Sequence, residues 1–402
     1  MGRTEPSVGQ PPAAFRKDVR AKKAKATLNK AIPALLSAHP RARRGNEAAE
    51  LIANPSALKA QPDDSKASPK DSTIGADAPR LILQAADTLT VAHRLLENPD
   101  TGRMDLGNKE ARVGILNMAS PLSPGGGFLN GAGSQEEYLC MRTTLLPSLK
   151  DEFYRLPELG GVYTPDVLVF RDDAGDDLEK KDRWFVDCVS AGMLRFPDVS
   201  VDEETGRGSY ALAKDRELVQ QKMRSVLRMF QAKQVRNVVL GAWGCGAYGN
   251  PVGEVAAAWK RVLFGSSNNN KQARGKNKGK GETWQGIETV AFAIKDAGMA
   301  EAFESAFGEG LTREELEEES EDELEDDPDT ARVREIQDKI EQLELQVQQA
   351  KSTQLQDGLR SILTNLHAQL EKEPHRPDRA SVADSIGPAS DDGDSDSASD
   401  GS

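Results

Sequence analysis

With 402 residues, 52 Lys and Arg against 65 Asp and Glu, and a formal charge of −13, the chain carries an acidic balance that disfavours general nucleic-acid binding. Apolar residues make up 37%, below the ~45–50% usual for a globular chain with glycine counted, and the deficit gathers at the two ends, so the middle is where a core is expected. Cys140, Cys188, Cys245 and four scattered histidines have neither disulfide-framework nor metal-ligand spacing, which predicts a reducing compartment and no bound metal; no run nears the ~18 apolar residues that span a bilayer, and no apolar signal core opens the chain.

Residues 1–15 are polar and proline-bearing, the composition of a disordered tail. From Ala14 to Leu36 the chain reads as a basic helix, with Phe15, Val19, Leu28, Ile32 and Leu35 among Arg16, Lys17, Arg20, Lys22, Lys23, Lys25 and Lys30. It suits a helix docked on the main domain, and equally a nuclear localisation signal, a patch for an anionic polymer or, with less support, a transit peptide. Residues 55–77, rich in Pro, Asp, Ser and Lys, form a flexible loop. Leu81, Leu83, Ala86, Leu89, Ala92 and Leu96 recur near helical spacing and predict a helix that ends at Asn98-Pro99.

Strand, glycine loop and helix follow in turn. The short apolar run Val113 to Leu116 leads into Asn117-Met-Ala-Ser120, then Gly125-Gly-Gly127, then seven residues, then Gln135-Glu-Glu137 at the start of a helix-like segment, Tyr138 to Leu146. Three glycines let the backbone take φ > 0 and approach a ligand closely, and amides opening a helix favour an anion, so a pyrophosphate is the expected guest. Neither G-x-G-x-x-G nor G-x-x-x-x-G-K-[ST] accounts for this loop. Glu136 and Glu137 beside a diphosphate repel it and each other, so one is expected to keep its proton, the form a general acid needs to protonate a glycosidic oxygen. A lone Gln-Glu-Glu is more commonly a helix cap.

Asp166 to Phe170 and Trp184 to Val189 are short β-branched runs and read as buried strands. A helix over Tyr210 to Lys233, a strand at Val238 to Leu240, a helix at Gly253 to Leu263, a strand at Thr289 to Ile294 and a helix at Ala300 to Phe307 complete the set. The alternation predicts an α/β sandwich around a mixed, mostly parallel sheet. A second glycine loop, Leu240-Gly-Ala-Trp-Gly244-Cys-Gly-Ala-Tyr248-Gly-Asn-Pro251, follows the third of these strands.

Residues 266–281, with Asn268-Asn-Asn270 and a run of Lys and Arg, interrupt the domain as a disordered insertion or a loop that grips a phosphate polymer. Residues 311–330 are an acidic linker. Val333, Ile336, Ile340, Leu343, Val347 and Ala350 then form a short coiled-coil seam, long enough only for weak self-association, and a phase shift to Leu359, Ile362, Leu366 and Leu370 makes a helical hairpin as apt as one long helix across 331–372. Residues 373–402 have the composition of a disordered acidic tail.

The two loops carry a resemblance. Gly125-Gly-Gly127, seven residues and Gln135-Glu-Glu137 resemble the signature of poly(ADP-ribose) glycohydrolases; Leu116-Asn-Met-Ala-Ser120, Pro124 to Leu129 and Leu240 to Pro251 are similar to the microbial-type branch, and Leu28 to Ile52 to its fungal-like members. The resemblance implies a macrodomain-like three-layer α/β/α catalytic domain over 16–310, including a helical extension at 16–54. The implied activity is hydrolysis of ribose–ribose O-glycosidic bonds of poly(ADP-ribose), from the chain end, with release of ADP-ribose and no cofactor. The implied partners are the polymer or ADP-ribosylated proteins, in nucleus or cytoplasm, with reversal of ADP-ribosylation in the DNA damage response.

Residue by residue, the resemblance implies that Glu137 is the general acid and later the base, and that Glu136 binds ribose hydroxyls. Asn117 orients the scissile ribose; Gly125, Gly126, Gly127 and Gly244-Cys245-Gly246-Ala247 hold the diphosphate, Gln135 is substrate-binding, and Tyr248 lines the pocket. Helical neighbours point about 100° apart, so Glu136 and Glu137 are not expected to act on one atom. Met118 stands where the family commonly has an aromatic, and Tyr248 where phenylalanine is commoner. The alternatives are an ADP-ribose-binding reader without turnover and a hydrolase of mono-ADP-ribosylated protein. The three thiols read as buried side chains.

Overall fold

The computed structural model describes residues 13–56, 79–97, 104, 112–202, 206–265 and 282–315. The insertion 266–281, the coiled-coil seam with its continuation to 372, and the tail 373–402 lie outside them, as do most of the 55–77 loop and residues 316–330 of the acidic linker.

The chain opens with α1 (Ala13–Ala26), a wider π-helical turn (Thr27–Ala31), α2 (Ile32–Ala38), α3 (Pro40–Glu47) and β1 (Glu50–Ala53). Then come β2 (Arg80–Gln84), α4 (Thr88–Leu96), β3 (Val113–Met118), α5 (Gln135–Arg142), β4 (Gly160–Val169) and β5 (Trp184–Ala191). A hairpin of β6 (Val199–Val201) and β7 (Gly208–Tyr210) precedes α6 (Ala213–Ala232), β8 (Asn237–Leu240), α7 (Val252–Phe264), β9 (Thr289–Ala293), α8 (Ala297–Phe307) and β10 (Thr312–Arg313). Helix α1 starts before residue 16 and β10 lies past 310, so folded residues extend on both sides of the expected limits. No described helix is long and apolar enough to cross a membrane.

Eight strands form one sheet in the order β1-β4-β5-β3-β8-β9-β2-β10. Every neighbouring pair from β5 to β10 is parallel, whereas β4 runs antiparallel to both β1 and β5. Side chains alternate between two cores as the pleat requires. Leu81, Leu83, Val238, Leu240, Val290 and Phe292 face α6, α7 and α8, with Phe230, Trp259 and Phe303 opposite them. Ile82, Val113, Ile115, Val239 and Ala291 face the other way, toward Leu89 and Ala92 of α4 and Leu139 of α5. Helices on both faces of a mostly parallel sheet make the expected three-layer α/β/α arrangement.

Several boundaries differ from those read in the sequence. The helix expected over Leu81 to Leu96 is two elements: Leu81, Ile82 and Leu83 are all buried in a strand covered on both faces. The helix begins only at Thr88, because the Asp87 carboxylate accepts the amides of Leu89 at 2.8 Å and Thr90 at 3.3 Å. Leucines at helical spacing thus ran across a strand and the helix after it. Tyr210 closes β7 instead of opening α6, and α5 starts at Gln135, three residues earlier than Tyr138, so Gln-Glu-Glu is its first turn.

Of the alternatives for the basic N-terminal stretch, docking is what the fold displays. Arg20 Nε donates to Gly131 O and Lys23 Nζ to Gly175 O, each at 2.9 Å, and Ala24 is buried with Phe128, Cys140 and Leu146. Gly131 has φ +73°, and a β-carbon there would come within 2.0 Å of Lys17 O. Gly131→Ala is therefore expected to lose about 1–3 kcal/mol in urea denaturation and to expose 13–26 to limited proteolysis. Unchanged stability and cleavage would show that α1 is not anchored there.

Candidate active site

The site lies at the carboxyl ends of β3 and β8, adjacent parallel strands whose following loops carry the two glycine clusters. That is where ligands bind in open α/β sheets. Gln135 clamps the first of these loops shut. Its Oε1 accepts Met118 N at 2.8 Å, and its Nε2 donates to Leu116 O at 2.7 Å and Thr88 Oγ1 at 3.1 Å. The start of α5 is thereby fixed over the end of β3.

Glu136 and Glu137 are both buried, and the 120–134 segment supplies their partners. Glu136 Oε2 accepts Ser120 N at 2.7 Å, and its Oε1 lies 3.5 Å from Asn117 Nδ2. Glu137 Oε1 accepts Gly127 N at 2.8 Å and its Oε2 accepts Ser134 N at 2.9 Å, closing a capping box with Ser134. The helix-cap reading of Gln-Glu-Glu is thus realised, and the same carboxylates also line a cleft.

The divergence expected of the two carboxylates is not what their oxygens show. A β-carbon built on Gly126 would stand 2.7 Å from Glu137 Oε1 and 2.8 Å from Glu136 Oε2, so the two side chains converge on one point. Their Cβ bonds diverge, but both side chains curl back to reach loop amides. Gly126 has φ +56°, so this position favours glycine twice over, by backbone and by space.

Burial pushes the Glu136 carboxyl up to about 8; the charge of Glu137 adds to this, while bonds from Ser120 N and the Asn117 amide oppose it.

The cleft holds about 500 Å³ and is lined by Gly126, Gly127, Glu136, Glu137, Gly244, Gly246, Ala247 and Tyr248, among others. Gly125 is not among its walls. A side chain there would strike Leu146 Cδ1 at 2.6 Å, so that glycine serves packing. Cys245 is half-exposed as a residue, yet its thiol packs against the core beside α7 and burial pushes it up to about 12. Asn117 is fully buried below the cleft, donating to Ser190 Oγ at 3.0 Å, a place from which it orients Glu136. Cys140 and Cys188 are buried, as expected.

Sequence reasoning passed over three features. Ser120 supplies the amide on Glu136, and its side chain bonds the Tyr248 hydroxyl. Arg195, in the loop after β5, lines the cleft and holds its guanidinium 5.6 Å from the centre of the Tyr248 ring. A second cleft of about 270 Å³ adjoins the first through Met118, Ser134, Gln135 and Ala242, and continues past Asp87, Thr88, Lys295 and Asp296. The position of Arg195 just past the carboxyl end of a parallel strand was the available signal.

The fold is a macrodomain-like α/β/α sandwich whose cleft is lined by a pair of buried carboxylates. Residues 46–172 match the family model described as the microbial-type PARG catalytic domain, a stretch that contains Asn117, the triple glycine and Gln-Glu-Glu. Over that stretch the chain is similar to the catalytic domain of microbial-type poly(ADP-ribose) glycohydrolases.

Among solved structures, the poly(ADP-ribose) glycohydrolase of Thermomonospora curvata is 22% identical, covering 73% of this chain and 99% of that one with a TM-score of 0.50, and it shares the fold. The same protein bound to the inhibitor ADP-HPD is 21% identical, covering 73% and 98% with a TM-score of 0.47. The enzyme of Deinococcus radiodurans in complex with ADP-ribose is 25% identical, covering 58% of this chain and 85% of that one with a TM-score of 0.42. No curated protein matches the chain.

The raised Glu136 carboxyl has a consequence for stability. Its proton is held in the folded chain up to about 8 against an ordinary 4.5, so the folded state binds more protons between those values and stability falls as pH rises through that window. Glu136→Gln removes this slope. Its melting temperature relative to the parent is expected to rise steadily from about pH 5 to pH 8 and then level off. A constant difference across that range would show that Glu136 titrates as an ordinary carboxylate.

Proposed function

We propose that the chain shortens poly(ADP-ribose) from its end, hydrolysing the ribose–ribose bond and releasing ADP-ribose, with Glu136 and Glu137 working as one acid–base pair. The convergence of both carboxylates on Gly126, inside a cleft walled by two glycine loops, carries this reading. The terminal unit extends over both clefts. Its adenosine takes the one beside Asp87 and Lys295, and its diphosphate lies beside Gly126 and Gly127, against the backbone of residues 244–247.

The pair holds one proton below about pH 8, kept by burial. Relayed from Glu136 across the point beside Gly126 on which both carboxylates converge, the proton is delivered by Glu137 to the ribose oxygen between two units as the C–O bond breaks, and the bonding electrons leave with that oxygen. The oxocarbenium-like sugar is then attacked by water, whose proton returns to the pair. The diphosphate of the substrate stabilises the sugar cation. Glu136 meets ribose hydroxyls, Asn117 holds Glu136 in place, and Tyr248 with Ser120 shapes the wall against the ribose.

Glu137→Gln is expected to lower release of ADP-ribose from labelled polymer by about 10²–10⁴-fold while ADP-ribose still binds in calorimetry. Full activity in that variant would remove Glu137 from the role. In the parent, kcat/KM is expected to fall as pH rises through about 8, where the pair loses its proton. Running polymer beside a mono-ADP-ribosylated protein tests the substrate. Turnover of only the latter would overturn the reading, and binding without turnover of either would identify a reader.

A further inference from the structure

Phe196, next to Arg195 in the loop after β5, is 68% exposed and has φ +52°, a left-handed conformation that bulky residues avoid. An exposed aromatic in a strained backbone persists only where its surroundings hold it, and such positions cluster at functional sites. The surroundings here are specific. Phe196 N donates to Tyr248 O at 3.0 Å, and Asn250 Nδ2 donates to Leu194 O at 2.8 Å, so the loop after β5 is tied to the glycine loop after β8. Asn250 is itself fixed, accepting the Tyr210 hydroxyl at 2.8 Å and donating to Gly244 O at 3.0 Å.

The Phe196 ring meets the Tyr248 ring edge-on at 6.2 Å and 68°, and the Arg195 guanidinium stands 5.7 Å from the centre of one and 5.6 Å from the centre of the other. Arg195 and Tyr248 line the cleft, whereas Phe196 does not, so the cluster runs from the wall of the cleft outward over its rim. Among the described residues lining that cleft, Arg195 is the sole Lys or Arg, and no carboxylate is paired with it. The terminal diphosphate already has the backbone of the two glycine loops. A guanidinium beside an open aromatic face is the chemistry that takes a phosphate together with a stacked base.

We propose that Arg195 and Phe196 form a second nucleotide subsite at the mouth of the cleft, in which the base of the next unit of the chain stacks on Phe196 and its diphosphate meets Arg195. This rests on the reading of the cleft as the site of a terminal ADP-ribose. A polymer held by its last unit leaves the cleft through its mouth, so the next unit passes over whatever surface lies there. The rigid, pre-strained loop presents that surface without ordering cost. The subsite makes the enzyme favour a chain over a single unit.

Phe196→Ala and Arg195→Ala, each in a Glu137→Gln background that holds the polymer intact, test this by titration with ADP-ribose and with a size-fractionated poly(ADP-ribose) oligomer. Each is expected to weaken oligomer binding by about tenfold, and Phe196→Ala, outside the cleft wall, to leave ADP-ribose within about twofold, with Phe196→Trp retaining oligomer affinity. Both side chains are exposed, and unchanged thermal melting will confirm that the variants fold. Unchanged oligomer affinity, or a parallel loss for ADP-ribose in Phe196→Ala, would overturn the subsite. If the background protein binds neither ligand, the reading of the cleft fails first and the subsite falls with it.

Discussion

Two neighbouring carboxyl groups survive out of water only where backbone N–H groups reach them, and that requirement shapes everything between β3 and α5. The donors come from opposite ends of one loop: Ser120 N for Glu136, Gly127 N and Ser134 N for Glu137. Bringing them together needs a sharp reversal, which Gly125 and Gly126 provide at positive φ. It also needs open space where both carboxylates arrive, which Gly126 provides by having no side chain. With the loop drawn inward, its outer surface at Gly131 becomes the seat for α1.

Electrostatics then decides where the proton sits. Two full negative charges ~4 Å apart near a protein surface repel by about 4 kcal/mol, and an approaching diphosphate adds to this, so keeping one proton on the pair is the less costly state. Glu136 is the more deeply buried of the two, and the charge of Glu137 beside it adds to the cost of ionising it. Burial therefore places the proton on Glu136 at neutral pH. The amides of Ser120, Gly127 and Ser134 face inward and satisfy the two carboxylates.

Much of this was legible where the chemistry is local. The glycine loops, the paired acids and strands β3, β5, β8 and β9 are contiguous runs, and each appeared where expected. The misreadings have physical causes. Leu81 to Leu83 form a strand buried on both faces, whose continuous apolar run gives no alternation, and the leucines after it extended an apparent helical period across Asp87. Strands β1, β6 and β10 are short and largely exposed, so they carry little hydrophobic signal. Gly125 and Gly126 look alike in sequence and differ only in what their missing β-carbons would strike. Arg195 and Phe196 lie in a loop without periodicity, and only tertiary structure brings them to Tyr248.

The site finally depends on sheet register more than on any one loop. Strands β3 and β8 are far apart in sequence but pair in parallel, Val113 opposite Asn237 and Ile115 opposite Val239, so their loops leave the sheet side by side. A slip of one residue would turn every side chain to the other face and move one loop away from its partner. Gly241 shows how tightly the strand ends converge: a β-carbon there would lie 2.5 Å from Met118 Cε and 2.8 Å from Ala293 O. Met118 itself lines both clefts. An unbranched thioether can fold around that crowded point, where a rigid ring would need room that Gly241 alone does not give. The departure from an aromatic at this position is thus accommodated by the packing of three strand ends, and it sets the shape of the passage between the adenosine and diphosphate halves of the site.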